Sequence, residues 1–188
     1  MELVRATIQR YVPLTDAQWE TIRAHWHVRE LERGELFTPL GRVEDRFGIV
    51  ERGVLRMSFP YDGEDVCIGF SYDGSWCGVY DAFVTRKPAR FEVKAMTPCT
   101  VHVIHHNDLQ HLYATGPAME RFGRLILEEL LVGRATREIE QLSLGADERF
   151  DRFMRRSAHL LQLVPQKDIA SYLRMTPETF SRLRARRS

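Results

Sequence analysis

PQKDIASYLRMTPETFSRLRARRS, residues Pro165 to Ser188, decides how the rest of this chain is read. Pro165 suits a first helical position, where its missing N–H costs nothing, and Ile169, Tyr172 and Leu173 give the helix that follows an inner face. Arg174-Met175 then makes a turn. Thr176-Pro177-Glu178 opens a second helix: threonine supplies the N-cap oxygen, proline a preset φ, and glutamate a negative charge near the positive end of the helix dipole. Phe180 and Leu183 fall on its inner side, leaving Glu178, Thr179, Ser181, Arg182 and Arg184 on outer or flanking faces. Two helices around so short a turn form a helix-turn-helix unit, whose second helix offers its N-terminal residues to base edges in the major groove.

The charge distribution supports that expectation. Of 27 basic and 26 acidic residues, eight basic and two acidic lie between Arg155 and Ser188, a local charge of +6. Residues 1–154 hold the other 19 and 24, a charge of −5. A basic end on an acidic body suits a polyanionic partner, because Lys and Arg on phosphates release condensed counterions. At 188 residues and 44% hydrophobic content the chain can bury one good core and a small second one. No apolar run approaches the roughly 18 residues of a membrane span, and MELVRATIQRYVPLTDAQ lacks the features of a signal peptide, so the expected compartment is the cytoplasm. Cys67, Cys77 and Cys99 are scattered and odd in number, which argues against a disulfide framework or structural zinc and for small buried hydrophobes.

Upstream, residues 1–30 read as helical, with Thr15 or Asp16 as N-cap and Trp19, Ile22 and Trp26 at helical spacing. From Leu31 to about His106, short apolar runs alternate with Gly, Pro and Asp punctuation, the texture of short antiparallel strands in a barrel or jelly roll. Gly116-Pro117 opens a long helix in which Met119, Phe122, Ile126, Leu130 and Gly133 mark one stripe and Leu125, Leu127 and Leu131 broaden it. So wide an apolar surface predicts two partners, the roll and a second copy of the helix, with the first stripe taken as the dimer interface.

The predicted architecture is therefore α+β: a double-stranded β-helix or jelly-roll sensor with N-terminal helices over 1–115, a dimerisation helix over 116–144 and a helix-turn-helix over 145–188. Residues 31–188 resemble a regulator of the Crp/Fnr family, and ETFSR, Glu178 to Arg182, matches the E-x-x-S-R pattern of members related to the fumarate and nitrate reduction regulator. That resemblance implies Arg182 on a guanine, Glu178 on a cytosine amino group and Ser181 in support, which agrees with the donor and acceptor patterns of those bases. Lys167, Thr176, Thr179, Arg184, Arg186 and Arg187 are assigned to the DNA backbone, where they position without specifying. It further implies a homodimer on double-stranded DNA, with RNA polymerase as a further candidate partner. Two departures stand out: Arg174 occupies a turn position where many members have glycine, and the sequence runs only to Ser188 after the second helix, so the expectation is a compact DNA-binding domain without a following wing.

The resemblance also tests the sensor. Family members that bind cyclic AMP hold it with a glycine, a glutamate, and an arginine and serine about ten residues on. Gly74 to Ala95 lies on that cassette without a gap, placing Gly78 on the glycine, Val79 on the glutamate, Ala89 on the arginine and Arg90 on the serine. A buried phosphate with no cation lacks the contacts that offset its desolvation, so cyclic AMP in the usual pose is not expected and the effector is unassigned. Arg90, one residue off the arginine's place, leaves an altered nucleotide mode open. Three scattered cysteines do not suit an iron–sulfur cluster. His102, His105 and His106 do not converge on a metal and read as surface histidines at a strand end. Two alternatives stand beside the regulator: an effector-binding roll with only nonspecific DNA binding, and a cupin-like enzyme, for which the β region lacks an H-x-H pair.

Overall fold

A computed structural model describes residues 1–187; Ser188, the last residue of the stretch quoted above, lies outside the described residues. Two helices lead the chain, α1 (Glu2–Gln9) and α2 (Asp16–Arg23). The Thr15 side chain accepts from the Gln18 amide while the Gln18 side chain accepts from the Thr15 amide, a reciprocal cap that starts α2 where the sequence predicts. The helix then stops earlier than expected. Trp26 begins a strand, β1 (Trp26–Leu31), paired antiparallel from Trp26 opposite Ile104 to Leu31 opposite Cys99. Trp19, Ile22 and Trp26 do share one core, but Trp26 reaches it from a strand, because tertiary pairing overrides a spacing that fits either element.

Seven further strands follow: β2 (Leu36–Thr38), β3 (Arg46–Arg52), β4 (Leu55–Tyr61), β5 (Glu64–Ser71), β6 (Trp76–Cys77), β7 (Glu92–Ala95) and β8 (Cys99–His105), with the short helix α3 (Tyr80–Thr85) between β6 and β7. They form two four-stranded antiparallel sheets, ordered β1-β8-β3-β6 and β2-β7-β4-β5. Phe37, Val50, Leu55, Val79, Val93, Val101 and Val103 fill the space between them. Cys67, Cys77 and Cys99 are buried free thiols; burial pushes the Cys67 thiol up to about 11 and Cys77 up as well, so neither is a ready nucleophile.

The outer face of the first sheet is covered by α1, α2, α4 (His106–Ala114) and the first half of α5 (Pro117–Ser143). This corrects two expectations. Residues 99–104 of β8 are buried on both faces, so His102 is a core histidine 1% exposed and not a surface one; its Nε2 lies 2.9 Å from Glu51 without hydrogen-bond geometry. Burial holds its basicity down. Met119, Phe122 and Ile126, expected at a helix–helix interface, are buried at 4, 1 and 5% in the chain's own core with Trp26, Phe47 and Ile104, and Leu130 packs against that core. The stripe is real, but the roll covers it from Met119 to Leu130 and leaves Gly133 exposed.

A third core lies at the far end of the second sheet. There Val54, Phe70, Tyr72 and Met96 meet the terminal helices α6 (Ala146–Ser157), α7 (Gln166–Tyr172) and α8 (Pro177–Ala185), with Phe150, Phe153, Ile169, Leu173, Phe180 and Leu183 inside. Glu140 ties α5 to α6 through ion pairs to Arg152 (2.9 Å) and Arg156 (2.7 Å); burial alone would raise its carboxyl, and the two guanidiniums outweigh burial and hold it low. The turn into β4 depends on Gly53, whose φ is +101° and whose missing Cβ would stand 2.5 Å from the Pro98 carbonyl and 2.9 Å from Cys99 Cα. Gly53→Ala is expected to destabilise the fold by about 2–3 kcal/mol, since backbone and not a movable side chain blocks the site; urea unfolding measures it.

Candidate functional site

The terminal helices are built much as their residues suggest. Thr176 caps α8 by accepting from the Thr179 amide at 3.2 Å, Pro177 takes the first turn, and Phe180 and Leu183 are buried, Phe180 edge-on to Phe150 at 5.5 Å between centroids. That inward pair forces Glu178, Ser181 and Arg182 to the exposed face. The Glu178 carboxyl is held low by hydrogen bonds from its own backbone amide and the Thr176 hydroxyl, so it stays an ionised acceptor. Lys167, Thr176 and Arg186 are exposed beside this face and Thr179 is half-buried. Arg187 pairs with Asp151 (2.6 Å) and lies over the Phe150 ring, and Arg186 faces Asp147 at 3.7 Å, so as phosphate contacts both would exchange these partners. Arg184 is half-buried on α8 and already has interactions within the chain.

The turn holds a residue in an unusual conformation. Arg174 sits at φ +52°, the left-handed region that glycine occupies without penalty. Arg149, missed by sequence reasoning because nothing local marks it, clamps this turn: its Nε donates to the Leu173 carbonyl (2.8 Å), one Nη to the Arg174 carbonyl (3.1 Å) and the other to the Leu144 carbonyl. On the other side α7 docks on the second sheet. Ser171 Oγ accepts from the Cys67 amide at 2.9 Å, Tyr172 packs on Phe70, and buried Asp168 faces buried Arg56 of β4 at 3.3 Å.

Within the roll, Gly78 has φ +124°, and Val79 and Ala89 are core residues at 0 and 3% exposure. Arg90 points out to solvent, its Nε and Nη2 on Asp81 Oδ2 at 3.0 and 2.7 Å. A cleft of about 640 Å³ opens where β4, β5 and Arg90-Phe91 meet α5 and the turn at Arg174. On α5 the side away from the roll is apolar and uncovered: Leu127, Leu131, Val132, Ile139 and Leu142 are 40, 68, 66, 63 and 81% exposed.

The family model of the cyclic nucleotide-binding domain matches residues 28–115. That stretch is thus similar to a cyclic nucleotide-binding domain. The fold of the whole chain is similar to FixK2 from Bradyrhizobium japonicum (16% identity over 86% of this chain and 83% of that one, TM-score 0.75), and to the c-di-GMP-responsive global regulator CLP from Xanthomonas campestris (16%, 92% and 91%, TM-score 0.65). It is also similar to a protein from Eubacterium rectale described as a transcriptional regulator of the Crp/Fnr family (14%, 93% and 85%, TM-score 0.68). The chain thus shares the fold of these three solved structures. No curated protein matches the sequence.

Within the matched stretch the cassette positions Val79, Ala89 and Arg90 carry none of the side chains that the resemblance calls for. The positions aligned with the usual phosphate and ribose contacts are apolar and buried at Val79 and Ala89, and turned outward at Arg90. Among the described residues no group of three or more His, Cys, Asp and Glu could hold a metal ion, and no helix is long and apolar enough to cross a membrane.

Proposed function

We propose that this chain is a sequence-specific transcription regulator that binds an inverted repeat as a homodimer, without catalytic activity of its own, and that cyclic AMP in the usual pose does not control it. The observation that carries this reading is the face of α8. Glu178, Ser181 and Arg182 stand together on it, exposed and presented by a helix whose opposite side is anchored in the third core. Arginine matches the two acceptors of guanine and carboxylate the cytosine donor. The division of labour follows the predicted boundaries: sensing over 1–115, dimerisation over 116–144 and DNA reading over 145–188.

The dimer rests on the other face of α5. With Met119, Phe122 and Ile126 used inside the chain, the interface passes to Leu127, Leu131, Val132, Ile139 and Leu142, an exposed apolar stripe of the kind that marks a protein contact. Two such helices side by side would set two copies of α8 about 34 Å apart, one helical turn of DNA. Leu131→Glu is expected to convert a dimer into a monomer of the 22.0 kDa chain in analytical ultracentrifugation and to weaken operator binding at least tenfold, since a buried carboxylate pair opposes association.

Selection of sites from a random duplex pool, with and without cyclic AMP, tests the whole reading. An inverted repeat recovered equally in both arms supports it, and a repeat recovered only with cyclic AMP overturns the statement about the effector. Uniform recovery of all duplexes would favour the effector-binding module with nonspecific DNA binding.

A further inference from the structure

A pocket of about 360 Å³ lies where α2 meets the turn between α4 and α5. Ile22, Leu112 and Met119, at 3, 0 and 4% exposure, belong to the first core and line it, and Leu14, packed against the same core, adds to the wall. The pocket is thus an opening in the helical cover of that core. All the described residues that line it precede β1 or follow β8, so it is separate from the cleft at Arg174 and from the positions at Gly78, Val79, Ala89 and Arg90.

Its chemistry is narrow. Among the described residues that line it none is charged and none is aromatic, and the polar side chains are Gln18, Thr21 and Thr115. Gln18 Oε1 accepts from the Thr15 amide at 2.9 Å and the Thr15 hydroxyl at 3.1 Å, which fixes the side chain; its NH2 group has no partner among the described residues. The Thr21 hydroxyl donates to the Ala17 carbonyl (3.2 Å) and the Thr115 hydroxyl to the Leu112 carbonyl (2.6 Å), so each oxygen is left as an acceptor. One donor and two acceptors therefore stand on aliphatic walls. An ion entering here meets no side chain of opposite charge to offset its desolvation. The start of α5 adds little for an anion: Pro117 has no N–H, the Met119 and Glu120 amides both donate to the Gly116 carbonyl, and Glu120 brings a negative charge to the first turn.

We propose that this pocket binds an uncharged aliphatic molecule with one amide or alcohol end. The chain would lie on Leu14, Ile22, Leu112 and Met119, and the polar end between Gln18, Thr21 and Thr115. An end group that both accepts and donates suits this set: its oxygen takes the Gln18 NH2, and its N–H or O–H goes to a threonine oxygen. The volume falls in the range of small-molecule sites, on the order of 300–1,000 Å³. This binding does not depend on the reading of α8 as a DNA-reading helix.

Isothermal titration of the full chain with octanamide, 1-octanol, octanoate, octylammonium and 3-phenylpropanamide tests it. Octanamide and 1-octanol are expected to bind one per chain, at least tenfold tighter than the two ions and than the aromatic amide. Ala118→Phe, which fills the pocket from the first turn of α5, should abolish that binding. Thr21→Val and Thr115→Val, each removing one acceptor at nearly constant shape from an exposed position, should weaken octanamide at least threefold with little change in the urea midpoint. If Ala118→Phe does not fold, the threonine pair decides the location. Absence of binding by both neutral probes, ions that bind as tightly as octanamide, or variants that bind like wild type would overturn the site. The aromatic amide binding as tightly would overturn its assignment to an aliphatic ligand. Loss of self-association in Ala118→Phe by analytical ultracentrifugation would show that a second copy of the chain fills the pocket, which would also overturn it.

Discussion

Arg182→Ala is expected to erase the preference for one guanine in each half-site while leaving the fold intact. The side chain is exposed on α8, so its removal should change stability by no more than about 0.5 kcal/mol. A good arginine–guanine pair discriminates by about 1–3 kcal/mol. With two half-sites the loss is about 2–6 kcal/mol, or at least about 30-fold, on the selected operator, and little on a duplex in which that base pair is already changed. Fluorescence anisotropy against both duplexes at one fixed salt concentration makes the comparison. Equal losses on the two would mean that Arg182 contacts backbone and not base.

Arg56→Ala is expected to give the largest stability loss, about 3–5 kcal/mol. Arg56 and Asp168 each expose only 8% of their side chains, and the Arg56 guanidinium also holds Asp65 at 2.6 Å. Removing it leaves a buried carboxylate without its guanidinium at the joint between β4 and α7. Burial already pushes the Asp168 carboxyl up against the pull of Arg56, so the variant carboxyl should take up a proton more readily still. Asp168→Asn added to Arg56→Ala should therefore recover part of the loss in urea unfolding. No recovery would show that the loss comes from the packing of the arginine stem and its bonds to Asp65.

How much of this was legible in the sequence varies with the kind of signal. Local chemistry read true where neighbours in sequence interact: the Thr15 cap, the Thr176-Pro177 start of α8, the inward Phe180 and Leu183, and the long helix from Pro117. Reading failed where a distant element decided the outcome. Trp26 fits a helical repeat as well as a strand, and only β8 beside it settles the matter. His102 alternates like a surface residue, and only the cover over the first sheet buries it.

The long helix shows the division most clearly. Its sequence determined that the apolar surface is too wide for one partner, because the spacing of apolar residues around a helix is a local property. Which stripe faces the roll and which faces outward was decided by the fold, which sets Met119, Phe122 and Ile126 against Phe47 and Ile104 and leaves Leu131 and Leu142 uncovered. The same holds for the candidate sites. The sequence determined a basic end and the Glu178, Ser181 and Arg182 face, while Leu14 and Gln18, which precede the strands, and Leu112 and Met119, which follow them, line one pocket only because the fold brings α2 beside the start of α5. Contact between residues far apart in the chain depends on how elements pack, and no local spacing encodes it.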